Sequence, residues 1–171
     1  SPEISHNTIS GGNPINICGG SPIITYNNLV GGIYSNSSAK HSIISYNTIL
    51  GSVVIAGGTP VITHNTITSQ KQVYLGSNGS MPEMVEILNY ESGGIGLTGY
   101  NSEHPDALYN AVVTDNTIIG ASDGICWNAG PGAVIQNNLI SQCTRRGIAL
   151  GSNAVVQNNT LKNNKVGIEI F

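Results

Sequence analysis

The stretch Ile44-Ser45-Tyr46-Asn47-Thr48-Ile49, followed by Gly51 and then Val53-Val54-Ile55, decides the fold of this chain. Its form is apolar, polar, variable, Asn, then Thr or Asn, then Ile or Leu; a second apolar-x-apolar triplet follows, usually after glycine. The same form recurs at Ile4–Ile9, Ile24–Leu29, Ile62–Ile67, Val113–Ile118, Val134–Leu139 and Val156–Leu161. The shared asparagines are Asn7, Asn27, Asn47, Asn65, Asn116, Asn137 and Asn159, in steps of 20, 20, 18, 51, 21 and 22 residues. Recurrence at such a period marks a stacked repeat. The second triplet reads Ile15–Ile17, Ile33–Ser35, Val53–Ile55, Val73–Leu75, Ile95–Leu97, Ile125–Trp127, Ile148–Leu150 and Ile168–Ile170. These triplets imply about eight coils, a degenerate one at roughly 77–97 filling the long step after Asn65.

Strand residues alternate faces, so the paired aliphatic residues of each triplet point inward and the residue between them faces solvent. One coil buries little by itself. Stacking gives every strand in-register parallel neighbours at ~4.8 Å and a continuous core. The repeated Asn stands where the chain must bend between two short strands. Asn tolerates left-handed backbone angles, and its amide can bond backbone or the next amide in a column. Asn7, Asn27, Asn47, Asn65, Asn116, Asn137 and Asn159 are therefore expected to form a structural ladder. Trp127 falls at an inward position and is expected in the core.

The pattern I-[ST]-x-N-[TN]-[IL] followed by G-I-x-[LI] resembles the right-handed parallel β-helix repeats of the NosD-like and carbohydrate-binding, sugar-hydrolase group. The Ser21-Pro22 entry and Gly31-Gly32 exit are also similar to repeats of archaeal surface proteins of the disaggregatase type. The resemblance implies an all-β, single-stranded right-handed parallel β-helix, a pectate-lyase-like solenoid, as one domain over residues 1–171. The chain opens directly in its repeat pattern, which suggests a mature or excised piece of something longer. The fold hosts lyases, hydrolases, epimerases, adhesins and spacers alike, so it does not by itself assign an activity. The chain has no Asn-Thr-Asp, no Gly-His-Gly and no Asp-Asp pair of the kind that polygalacturonases carry.

Composition narrows the classes. Only 9% of residues are charged and the net charge is −3. The six Lys and Arg are scattered, whereas a nucleic-acid binder shows a basic stripe. No run approaches 18 apolar residues, so no membrane span is expected. Low charge and abundant Asn, Ser, Thr and Gly point to an extracellular or cell-surface protein, and sequons stand at Asn36, Asn78 and Asn158. Cys18, Cys126 and Cys143 form no CxxC and no zinc-spaced set with histidine, which predicts buried or half-buried thiols and no metal site.

Sites are sought where the repeat breaks or where it displays chemistry. The break is a lateral excursion at about 77–110, with Glu83, Glu86, Glu91, Glu103, His104 and Asp106 as candidate acids and bases beside Tyr100. Paired carboxylates can serve a glycosidic bond as acid and base, and an acidic loop can equally be a solvated decoration. Residues 81–89 read as a short helix or as the degenerate strand. Oxygen ligands there make calcium conceivable, with no spacing to support it, so no cofactor is expected. Asp123 and Arg146 precede equivalent glycines in adjacent coils, which predicts a salt bridge; Arg145 and Arg146 together could instead hold a sugar carboxylate. His6, Tyr26, Tyr46 and His64 each precede a ladder Asn and predict a strip of rings, which could either stack on sugar faces or simply stabilise the outside of the coils. His6 and His64 stand three coils apart, about 14 Å, too far to share a metal ion.

These readings predict a glycan-binding or scaffold module whose partner is a polysaccharide or surface glycan, with an enzyme using acids of the 83–123 region as the rival. Neighbouring domains or end-to-end self-association are further expectations, because apolar strand edges reach both ends of the sequence.

Overall fold

Strand Ile43–Ser45 pairs in parallel with Ile23–Thr25 on one side and Val61–Thr63 on the other, residue for residue. Every coil repeats this with three short strands, since its three apolar clusters are separated by residues that accept a sharp bend. The computed structural model describes residues 1–36, 39–69, 94–98, 110–128 and 132–171. They form three parallel sheets of seven strands each, wound into one solenoid. The first sheet holds the strands that precede each ladder Asn, the second those that follow it, and the third the glycine-led triplets. Among the described residues there is no helix.

Seven strands per sheet replace the eight coils expected. Ile95–Thr98 pairs with Val53–Ile55 on one side and with Asp123–Asn128 on the other. Val61–Thr63 pairs with Val112–Thr114, and Thr66–Thr68 with Thr117–Ile119. All three sheets therefore run continuously past the long step, and no degenerate coil is inserted. The triplet Ile95–Leu97 completes the coil that Val61 begins. Val73–Leu75 and the alternatives for 81–89 lie outside the described residues.

The core is the column of inward aliphatic residues. Ile24, Ile44, Ile62, Val113 and Ile135 line the first sheet, and Leu29, Ile49, Ile67, Ile118 and Ile140 the second. Val53, Ile55, Leu97, Ile125, Trp127 and Ile148 line the third, and all are fully buried. Each such side chain contributes ~1.5–3 kcal/mol of apolar burial, but only because the coils above and below close over it.

The bend between the first two sheets repeats one device. His6, Tyr26, Tyr46, His64, Asp115, Asn137 and Asn158 all take φ between 56° and 58°, the left-handed region, and the next residue turns inward as a ladder Asn. Asn47 shows the bonding: its backbone N–H and its Nδ2 both donate to Oδ1 of Asn65 at 3.0 Å. Nδ2 also donates to the carbonyls of Ser45 and Ile24. The column runs Asn7, Asn27, Asn47, Asn65, Asn116, Asn138, Asn159.

One member differs from expectation. Asn138 is buried in the column, whereas Asn137 is the outward residue with φ of 57°. The doublet Asn137-Asn138 follows two apolar residues, Val134-Ile135, and so reads equally well in two registers. The core chooses: Ile135 is fully buried beside Val113, and Val134 stays outside.

The glycine before the third strand is required by packing. A Cβ on Gly124 would stand 2.5 Å from the carbonyl oxygen of Gly147, and one on Gly94 2.6 Å from that of Gly124. Successive coils touch backbone to backbone there.

Candidate functional site

The ring strip is the best-formed feature on the outside of the solenoid. His6 and Tyr26 stack with centroids 5.2 Å apart and planes 1° from parallel. Tyr26 and Tyr46 follow at 5.0 Å and 6°, and Tyr46 and His64 at 4.7 Å and 23°. These distances are the coil spacing, so the register of the sheets sets the stack. The two tyrosines stay about half exposed, at 52% and 48%.

Two physical consequences follow. Parallel rings one coil apart cover one another's faces, so the strip turns ring edges and tyrosine hydroxyls outward rather than the open faces on which a sugar would lie. The strip is also costly. A non-glycine residue in the left-handed region gives up ~1–2 kcal/mol, least for Asn and Asp, whose short polar side chains bond locally. Ring stacking returns ~0.5–1.5 kcal/mol per pair, an amount of the same order. The same corner holds Asp115, Asn137 and Asn158 in the last three coils. Stability alone therefore does not select tyrosine at Tyr26 and Tyr46.

Hydroxyl and amide columns flank the rings. Thr25, Ser45 and Thr63 stand in register beside the rings on the first sheet, where Ser45 is buried and the Thr63 hydroxyl is bonded to His64 Nδ1 and Thr114 Oγ1. Asn28, Thr48 and Thr66 do the same on the second. The spacing of the ladder motif already places Thr48 and Thr66 in one column; Thr25 and Thr63, one residue before each ring, carry the same spacing and were not singled out by it.

The second candidate, around Arg146, is closed. Its Nε and Nη2 donate to the two carboxylate oxygens of Asp123 at 2.8 and 2.7 Å, a bidentate clamp. Nη1 donates to Glu169 at 2.8 Å, and Phe171 lies under the guanidinium at 5.4 Å. Asp123 and Arg146 are both largely buried, with 8% and 13% of their side chains exposed. The hydrogen bonds to Asp123 hold the guanidinium firmly protonated. All three guanidinium nitrogens of Arg146 already donate to carboxylates and its side chain is only 13% exposed, which leaves little room for a sugar carboxylate. Arg145 is half exposed and only 3.5 Å from the same Asp123 oxygen. The pair is a salt bridge rather than the start of a carboxylate cradle. Glu169 was missed in the sequence, though it follows Arg146 by the same 23 residues that separate Arg146 from Asp123.

Cys126 and Cys143 are buried, and Cys18 is exposed; all three are free thiols. Burial pushes the Cys143 thiol up to about 11, and burial followed by the Asp123 charge raises that of Cys126. Such thiols are poor nucleophiles at neutral pH. Among the described residues no three His, Cys, Asp or Glu side chains gather closely enough to hold a metal ion, and no helix is long and apolar enough to cross a membrane. Glu83, Glu86, Glu91, Tyr100, Glu103, His104 and Asp106 lie outside the described residues.

The parallel coils, the inward ladder and the glycine-led third strand are the features of one known repeat architecture, and the family model described as the right-handed β-helix region matches residues 73–171. The chain belongs to the right-handed β-helix family. That match begins after the ring strip, whose four coils carry the same sheets and ladder as the matched part. No curated protein and no solved structure matches the chain significantly.

Proposed function

We propose that this β-helix is a non-catalytic module, displayed outside the cell or on its surface, that binds glycan along the ring strip while the solenoid serves as its rigid support. The observation that carries the reading is the pair Tyr26 and Tyr46. Both are held at φ of 57° in a corner that the last three coils fill with Asp or Asn, and both stay half exposed beside the exposed column of Asn28, Thr48 and Thr66. Residues kept in an unfavourable conformation without a gain in stability are a reason to look for binding. The low share of charged residues and the exposed sequon residue Asn158 support the extracellular assignment.

The test is a titration of the purified chain with acidic and neutral glycans, with and without calcium, followed by calorimetry and by assays for new reducing ends and unsaturated products. Binding without product is the expected result. Product release would transfer the function to a polysaccharide-active enzyme, with the acids between Glu83 and Asp123 as the residues to replace first.

A further inference from the structure

We infer that the ligand of the ring strip is a neutral, unbranched polysaccharide lying along the solenoid axis and held by hydrogen bonds rather than by ring faces; this rests on the glycan-binding reading above. The first observation is periodicity. Tyr26, Tyr46 and His64 offer a polar ring edge once per coil, beside the exposed column of Asn28, Thr48 and Thr66. The same set of donors and acceptors thus recurs every ~4.8 Å along a straight line. A polymer that repeats its own hydroxyls along a line meets several sets at once, whereas a compact or branched glycan meets one or two.

The second observation is charge. The segments Ile23–Val30, Ile43–Leu50 and Val61–Thr68, which carry three of the four rings and their flanks, contain no Asp, Glu, Lys or Arg, and the first ring's segment, Glu3–Ser10, contains one, Glu3. A carboxylated or sulfated sugar would lose hydration there and gain no counter-charge. The guanidinium of Arg146 already gives a hydrogen bond from each nitrogen to Asp123 or Glu169. The third observation is the stack itself. Because each ring covers its neighbour's face, binding rests on individually modest hydrogen bonds to edges, and affinity must come from the number of coils engaged.

The experiment titrates the full chain with neutral gluco- and manno-oligosaccharides of increasing length and with oligogalacturonates of matched length, at low and at high salt. The expected result is a Kd for the neutral series that falls by about tenfold or more from shortest to longest, ~1.4 kcal/mol. Salt leaves it unchanged, and the oligogalacturonates bind more weakly. Tyr46→Asn installs the residue that the same corner holds at Asn137 and Asn158, so the helix stays folded by circular dichroism while binding drops about tenfold, ~1.4 kcal/mol. Tyr46→Phe keeps the stack and removes only the hydroxyl edge, and it gives a smaller loss. Tighter, salt-sensitive binding of oligogalacturonate, or neutral binding that does not grow with length, overturns this inference and leaves glycan binding standing. Failure of every oligosaccharide to bind overturns the glycan-binding reading, and this inference with it.

Discussion

Asn65 and Asn116 lie 51 residues apart in the chain and are neighbours in the ladder, the backbone N–H of Asn65 donating to Oδ1 of Asn116 at 3.0 Å and its Nδ2 to the same atom at 3.1 Å. The long sequence step is thus closed by the same bonds as the short ones. A parallel strand that slips by one residue turns its aliphatic face outward, so register must be held wherever the coil length varies. Each ladder amide fixes one coil against the next at the corner, whatever number of residues lies elsewhere in that coil.

The doublet Asn137-Asn138 allows a sharp test. Asn138→Gly removes an amide whose Oδ1 accepts from Asn116 and whose Nδ2 donates to the Val113 carbonyl. It orphans buried groups at ~1–3 kcal/mol each and should cost about 2–4 kcal/mol in urea unfolding. Asn137→Gly, at a left-handed position facing solvent, should stay within ~0.5 kcal/mol of the parent. Equal effects at the two positions would contradict the assigned register.

How far the fold could be read without coordinates turns on such pairs. Ile44-Ser45-Tyr46-Asn47-Thr48-Ile49 is legible because alternation, bend and ladder coincide in six residues. Val73-Tyr74-Leu75 has the same apolar-x-apolar form as Val53-Val54-Ile55, and nothing local says that Ile95 is the residue seated beside Val53. Pairing over that distance is a tertiary fact. The ring column was legible from spacing alone, but its left-handed backbone and mutually covered faces were not, since both depend on how coils stack. Asp123 and Arg146 could be placed one coil apart from their glycines; that Glu169 and Phe171 close the remaining sides could not.

Backbone contact between coils predicts an asymmetry among glycines. Gly124→Ala would drive a methyl group to 2.5 Å from the Gly147 carbonyl oxygen, with Cys143 Sγ 3.3 Å away. The neighbours are backbone and core, so the cost should reach several kcal/mol, at the severe end of overpacking. Among the described residues, an added Cβ on Gly96 meets only Val54 Cγ2 at 3.8 Å, an ordinary contact. Gly96→Ala should be neutral or up to ~1 kcal/mol stabilising through the unfolded chain. Thermal melts of the two variants decide it, and a destabilised Gly96→Ala would show that the outer face of the third sheet is tighter than drawn.

Arg146 carries the largest electrostatic stake. Arg146→Met leaves Asp123 buried without its clamp, and removal of one partner from a buried pair costs ~3–5 kcal/mol. Arg145→Met touches a half-exposed side chain 3.5 Å from the same carboxylate and should cost no more than ~0.5–1 kcal/mol. If the two variants melt together, the bidentate geometry contributes nothing beyond charge.

Alkaline pH reports on Cys143. Its thiol ionises near 9 when exposed and is pushed up to about 11 by burial in the fold. Below pH 9 the thiol is protonated in both states and contributes no pH dependence. Between 9 and 11 the unfolded chain releases the proton while the folded one keeps it, so the unfolded state gains and stability falls, by up to ~2–3 kcal/mol. Cys126, also raised, acts in the same direction. Urea unfolding across that range should show this loss, and Cys143→Ala should remove the Cys143 share of it. Alanine suits the position, because Ala121 holds the corresponding place one coil earlier and is itself fully buried. In alkylation experiments at neutral pH, Cys18 should react at once, and the other two only on unfolding. A Cys143→Ala variant with the parent's full alkaline slope would show that the thiol is not the group being titrated.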